Sequence, residues 1–121
     1  MESELITEYQ TRAEQVLSRN KSLLDLLTKL QCANGRVARS VIKAVTACGC
    51  IEVDGRRNPP DKPSGQLRGQ LCEECRATVR TELGEALFYT ASLCNALGIG
   101  LEEVIAGDLS RSDMMGSYSL R

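Results

Sequence analysis

Residues 72–104, CEECRATVRTELGEALFYTASLCNALGIGLEEV, decide the fold. Apolar residues recur at Val79, Leu83, Ala86/Leu87, Thr90, Leu93/Cys94 and Leu97. Steps of three and four residues place them on one stripe of a helix. Gly98 tolerates the left-handed conformation in which many helices end, so the helix is expected to stop there. The acidic segment Leu101-Glu102-Glu103-Val104 then begins another turn or two. This stretch also carries a Cys-x-x-Cys pair, Cys72 and Cys75, and two acids at helical spacing, Glu82 and Glu85.

Upstream, residues 3–31 carry a second helical stripe at Leu5/Ile6, Tyr9, Ala13, Val16/Leu17, Leu23/Leu24, Leu27 and Leu30, with Ser3 as an N-cap. Asn20 falls where an apolar residue is due, which marks either a kink or a turn between two shorter helices. Asn34-Gly35 either ends a helix or sits within a longer one. Val37, Ala38, Val41, Ile42 and Val45 resume the stripe, and Cys48-Gly49-Cys50 closes it. The polar face here is basic, with Lys29, Arg36, Arg39 and Lys43, and no Asp or Glu occurs between Asp25 and Glu52. Residues 51–55 suit a short extended piece. Residues 54–69 hold all three prolines and read as a long loop. The tail from Gly107 shows no sustained period. The expected architecture is therefore all-α: one domain over 1–106, an antiparallel bundle of about four helices with a cysteine-bearing loop between helices 2 and 3, then a flexible tail over 107–121.

The chain of 121 residues has no Trp, one Phe and three Tyr, so small aliphatic side chains must fill its core. A small domain so built is expected to lean on a metal or a second subunit. Its net charge of −1 gives no whole-chain attraction to nucleic acid or membrane. The start, MESELITEYQ, lacks a secretory signal, and no apolar run approaches the roughly 18–20 residues of a membrane span. A cytoplasmic, reducing location is expected. There, six Cys and no His argue for metal or free thiols over disulfides.

Cys48-x-Cys50 and Cys72-x-x-Cys75 are two close pairs joined by one loop, and four thiolates are a standard structural zinc set. The second pair is expected in the first turn of its helix, with Gly69 or Gln70 near the cap, where backbone N–H groups favour thiolates. Arg56, Arg57, Lys62, Arg68 and Arg76 are near enough in sequence to offset the negative charge. The one-residue spacer of the first pair is tight. Reduced cysteines without metal, or a redox pair, are the other readings, although no βαβ context supports a redox motif. Cys32 and Cys94 lie on or beside apolar stripes and read as small core residues.

Two carboxylates three residues apart can share a Mg²⁺ ion, or can simply be a solvated surface pair. Residues 81–105, with Glu82-Leu83-Gly84-Glu85-Ala86-Leu87 and then Leu97-Gly98-Ile99 and Leu101-Glu102-Glu103, resemble the MazG-like, all-α nucleoside triphosphate pyrophosphohydrolases. The resemblance implies a helical fold, a homodimer or tetramer, and a nucleotide held through Mg²⁺ by a Glu-x-x-Glu pair facing a Glu-x-x-Asp pair. Glu82 matches the first acid of the second pair, Glu85 stands where Asp is expected, and Asn95 matches a frequent Asn. The other pair would fall within residues 30–47, where this chain offers Arg36, Arg39 and Lys43 and no acid.

Three readings follow. The first is a non-catalytic MazG-like protein with structural zinc, acting by protein contacts as a homodimer. The second is a Mg-dependent pyrophosphohydrolase drawing extra ligands from Glu73, Glu74, Asp25 or another subunit. The third is a zinc-dependent nucleic-acid binder using the basic face, against which stand the charge balance and the lack of stacking aromatics.

Overall fold

The structure, a computed structural model, describes residues 2–16, 22–56 and 63–115. The chain is all-α, as expected. The helices are α1 (Glu2–Val16), α2 (Leu23–Lys43), α3 (Glu73–Leu97) and α4 (Leu101–Met115). Between α2 and α3 lie a π-helical turn (Ala44–Cys48) and two three-residue strands, β1 (Ile51–Val53) and β2 (Leu67–Gly69). No described helix is long and apolar enough to cross a membrane.

α1 ends at Val16 and α2 begins at Leu23, and Asn20, where an interruption is expected, falls between them. Residues 17–21 lie outside the described residues, as do Arg57 and Lys62. Ser3 lies inside α1 rather than at its cap. Ser22 caps α2 instead: its hydroxyl accepts from the Asp25 N–H at 3.2 Å, and its carbonyl takes the first helical bond, from Leu26. Asn34-Gly35 does not end a helix but sits within α2. Residues 107–115 form the rest of α4 rather than a tail.

The chain divides into two compact units, Met1–Lys29 with Phe88–Arg121, and Leu30–Leu87. In the first, Ala13, Ala91, Cys94 and Leu101 form a buried cluster, flanked by Ile6, Tyr9 and Phe88. α3 ends as its sequence requires. Gly98 has φ 71°, the Ile99 N–H reaches back to the Cys94 carbonyl at 2.9 Å, and the Gly98 N–H to that of Asn95. The Glu103 carboxylate accepts from the Gly100 N–H at 3.2 Å, capping α4.

Gln10 ties these pieces to α1. Its side chain donates to the Ile99 carbonyl at 2.8 Å and accepts from the Leu101 N–H at 2.7 Å. Its backbone carbonyl accepts from Asn95 Nδ2 at 3.0 Å. Asn95 is thus a joint within this unit. Gln10→Ala leaves the partly buried Leu101 N–H unsatisfied and is expected to cost about 1–3 kcal/mol. A urea melt followed by circular dichroism checks this, and an unchanged midpoint would contradict it.

Among the described residues of the second unit, the buried ones are Ala33, Ser40, Ala44 and Ile51. Only one of these side chains is large. The β1–β2 hairpin pairs Ile51 with Gly69, Glu52 with Arg68 and Val53 with Leu67. The Asp54 N–H adds a bond to the Gln66 carbonyl at 3.0 Å. The end of the expected 54–69 loop is therefore a strand. Cys94 is buried as expected, whereas Cys32 is exposed. The buried line of α2 runs through Leu26, Ala33 and Ser40, and its steps of seven residues leave Cys32 about 100° off that line.

Candidate metal centre

Each sulfur of the centre has a local reason for its place. Cys48 ends the π-turn, and Gly49, at φ 82°, follows it in the left-handed region. That conformation suits glycine and lets the chain reverse within one residue. The reversal resolves the tight spacer, because Cys48 and Cys50 both turn toward the second pair. Cys50 leads directly into β1. Across the hairpin, Gly69 at φ 84° lies so close that an added Cβ would stand 2.6 Å from the Cys50 carbonyl oxygen. The strand pairing thereby brings residues 69–72 back beside Cys50.

Cys72 occupies the cap of α3, in place of the expected Gly69 or Gln70. Its carbonyl accepts the first helical bond, from the Arg76 N–H at 2.8 Å. Its sulfur accepts from the Cys75 N–H at 3.4 Å. That backbone bond and the neighbouring thiol of Cys75 lower the Cys72 pKa below the usual thiol value. The Cys75 thiol, hydrogen-bonded to Cys72, is pushed up to about 12. Of these two, Cys72 gives up its proton more readily.

The sulfurs of Cys48, Cys50, Cys72 and Cys75 all lie within 4.8 Å of one another, and Cys48 and Cys72 are 3.9 Å apart. A tetrahedral ion with metal–sulfur bonds of about 2.3 Å needs sulfurs about 3.8 Å apart. The group can therefore hold one metal ion with small adjustments. Of the cations expected to offset its charge, Arg56 instead reaches Asp54 at 3.6 Å. Arg68 and Arg76 have no carboxylate partner among the described residues.

The acid pair has a different environment. Arg36, on α2, reaches Glu82 through Nε at 3.3 Å and Glu85 through a terminal nitrogen at 3.2 Å. One guanidinium thus spans both carboxylates. These side chains are between 22% and 49% exposed, so each pair adds at most about 1 kcal/mol. The contact matters for what occupies the acids more than for stability. Asp25 pairs with Lys29 at 3.0 Å, and Glu73 and Glu74 are exposed. Among the described residues, the four cysteines are the only group of three or more metal-ligating side chains close enough to share an ion. Sequence reasoning names Gly69 only as a candidate cap and Arg36 only as one cation of a basic face, and gives neither its place in these sites. The first shows only once the strands pair, and the second is one of several cations on its face.

No family model, curated protein or solved structure matches this chain.

Proposed function

We propose that the chain is a MazG-like helical protein that has kept the helices of a pyrophosphohydrolase and exchanged its metal chemistry. In this reading, zinc on Cys48, Cys50, Cys72 and Cys75 holds the β1–β2 hairpin against the start of α3. The protein then acts by contact with other proteins, as a homodimer, and not by catalysis.

The observation that carries the reading is the single guanidinium of Arg36 on both Glu82 and Glu85. A Mg²⁺ ion bound there would have to displace it, and would then find two carboxylates where a catalytic cage needs more oxygen ligands. Metal charge stabilisation is worth several kcal/mol in a phosphoryl-group reaction, and each 1.4 kcal/mol lost is a tenfold slower step. Zinc is favoured among thiophilic ions because a closed set of four thiolates is its common structural site and holds no open position for a substrate.

The test is pyrophosphate release by the zinc-loaded protein from a panel of nucleoside triphosphates, with Mg²⁺ or Mn²⁺ added. Release at the rate of buffer alone is expected, for the native chain and for Glu82→Gln alike. Turnover that disappears in Glu82→Gln would overturn the non-catalytic reading and favour an active nucleotide hydrolase.

A further inference from the structure

The hairpin sorts its side chains by face. Paired residues share a face, and neighbours along a strand alternate. Ile51, Val53, Leu67 and Gly69 therefore lie on one side, and Glu52 and Arg68 on the other. On the apolar side, Ile51 and Leu67 line a groove of about 360 Å³ together with Val41 and Leu71. Gln70 and Arg76 complete its polar edge. All of these residues belong to the unit Leu30–Leu87.

Two features of this groove find no answer within the chain. The first is charge. Arg76 is exposed and has no carboxylate partner among the described residues, and none of the described acids lines the groove. The second is backbone. The bond from the Asp54 N–H to the Gln66 carbonyl marks those two as a hydrogen-bonded pair. Such pairs alternate along an antiparallel ladder. Leu67 therefore turns its N–H and C=O away from β1. The sheet has two strands among the described residues, so the outer edge of β2 is open to a third.

We propose that the groove holds the carboxyl-terminal end of a partner protein whose last residue is aliphatic. The chain end adds to the outer edge of β2, and its last side chain enters the groove. Its terminal carboxylate meets the Arg76 guanidinium, with the Gln70 amide as a further donor. The proposal names a partner for the protein-contact reading above and rests on that part of it alone.

The groove's size and chemistry favour a chain end. Its volume is at the low end of the roughly 300–1,000 Å³ of ligand pockets, which suits a terminal residue and not a whole helix. A terminal residue presents an aliphatic side chain and a carboxylate from one Cα. That is the combination that four aliphatic side chains and one guanidinium match. An internal acid carries its charge on the side chain, so one residue cannot both fill the apolar wall and reach Arg76. Arginine grips a carboxylate through two parallel N–H donors. A strand edge supplies main-chain bonds for affinity, and a pocket beside it supplies specificity. Gly69 also lines the groove and brings no side chain of its own, which leaves room for one from a third strand.

Fluorescence polarisation on zinc-loaded native protein tests this with labelled five-residue peptides, random in all but the last position. The pools end in Leu or Val as the free acid, in Leu or Val as the amide, and in Asp or Lys as the free acid. The free-acid Leu and Val pools are expected to bind about tenfold tighter than every other pool, the effect of one charge-assisted pair. Arg76→Gln is expected to erase the preference for acid over amide. Its side chain is exposed, so zinc content and circular dichroism should match the native chain. Hydrogen exchange at the Leu67 N–H is expected to slow when the Leu pool is added. Equal binding of acid and amide pools, or of Leu and Asp pools, would overturn the proposal, as would a preference that survives in Arg76→Gln. Competition by 4-methylpentanoate as strong as by the Leu pool would assign the groove to a small free acid and overturn the protein partner. Unchanged exchange at Leu67 would overturn the strand pairing. Failure on these counts leaves the pyrophosphate result standing, whereas nucleotide turnover would overturn the non-catalytic reading and leave peptide binding as measured.

Discussion

Stripping the metal with a strong chelator is expected to lower the melting temperature by about 15 °C or more, and to open residues 48–56 and 65–75 to hydrogen exchange. The size follows from what else holds that region. Among its described residues the one large buried side chain is Ile51, worth about 1.5–3 kcal/mol. A structural zinc on thiolates contributes apparent free energies of about 10–16 kcal/mol, and 1 kcal/mol moves the midpoint of a domain this size by roughly 4–8 °C. A shift of 15 °C therefore needs only a small part of the metal's contribution to survive competition with the unfolded chain. Acidification should do the same as chelation. Cysteine binds a metal as thiolate, so protons compete with the ion and bound metal is expected to be lost as pH falls. Unchanged melting and unchanged exchange after verified metal removal would contradict the result.

Gly69→Ala is expected to be the most damaging single change outside the ligands, weakening metal binding by about 100-fold. At φ 84° a side chain costs about 1–2 kcal/mol from backbone conformation alone. The new Cβ would also stand 2.6 Å from the carbonyl oxygen of Cys50. That neighbour is backbone and cannot swing aside, so either the hairpin opens or Cys50 leaves its place among the sulfurs. Together these effects reach about 3 kcal/mol or slightly less, which is the stated factor. Gly49→Ala provides the control: its φ is 82°, but its Cβ meets nothing, so only the conformational part applies. Competition with a chromogenic chelator measures both. Equal losses at the two glycines would show that the close approach to Cys50 carries no weight.

These two glycines show how far the sequence could be read. Gly98 was legible as a helix stop because an apolar stripe runs up to it, and the cysteine pairs were legible because spacing alone suggests a four-sulfur set. Gly69 was not, because its constraint comes from a strand partner 18 residues away. β2 itself is three residues long and exposed throughout, so it has no buried alternation to reveal it. The second half of α4 was hidden for a similar reason. Residues 102–111 are all exposed, so no stripe exists to mark the helix. On α2, the basic face opposite the acid pair was plain from the absence of Asp and Glu. Which cation would span Glu82 and Glu85 depended on helix rotation, and the exposure of Cys32 depended on the same angle.

The most direct test of the account is elemental analysis of the purified native chain beside its Cys72→Ser variant. The account predicts one zinc atom per native chain, and a marked loss of it in the variant. A native chain that carries no metal, with Cys48, Cys50, Cys72 and Cys75 all free to react in the folded state, would contradict it.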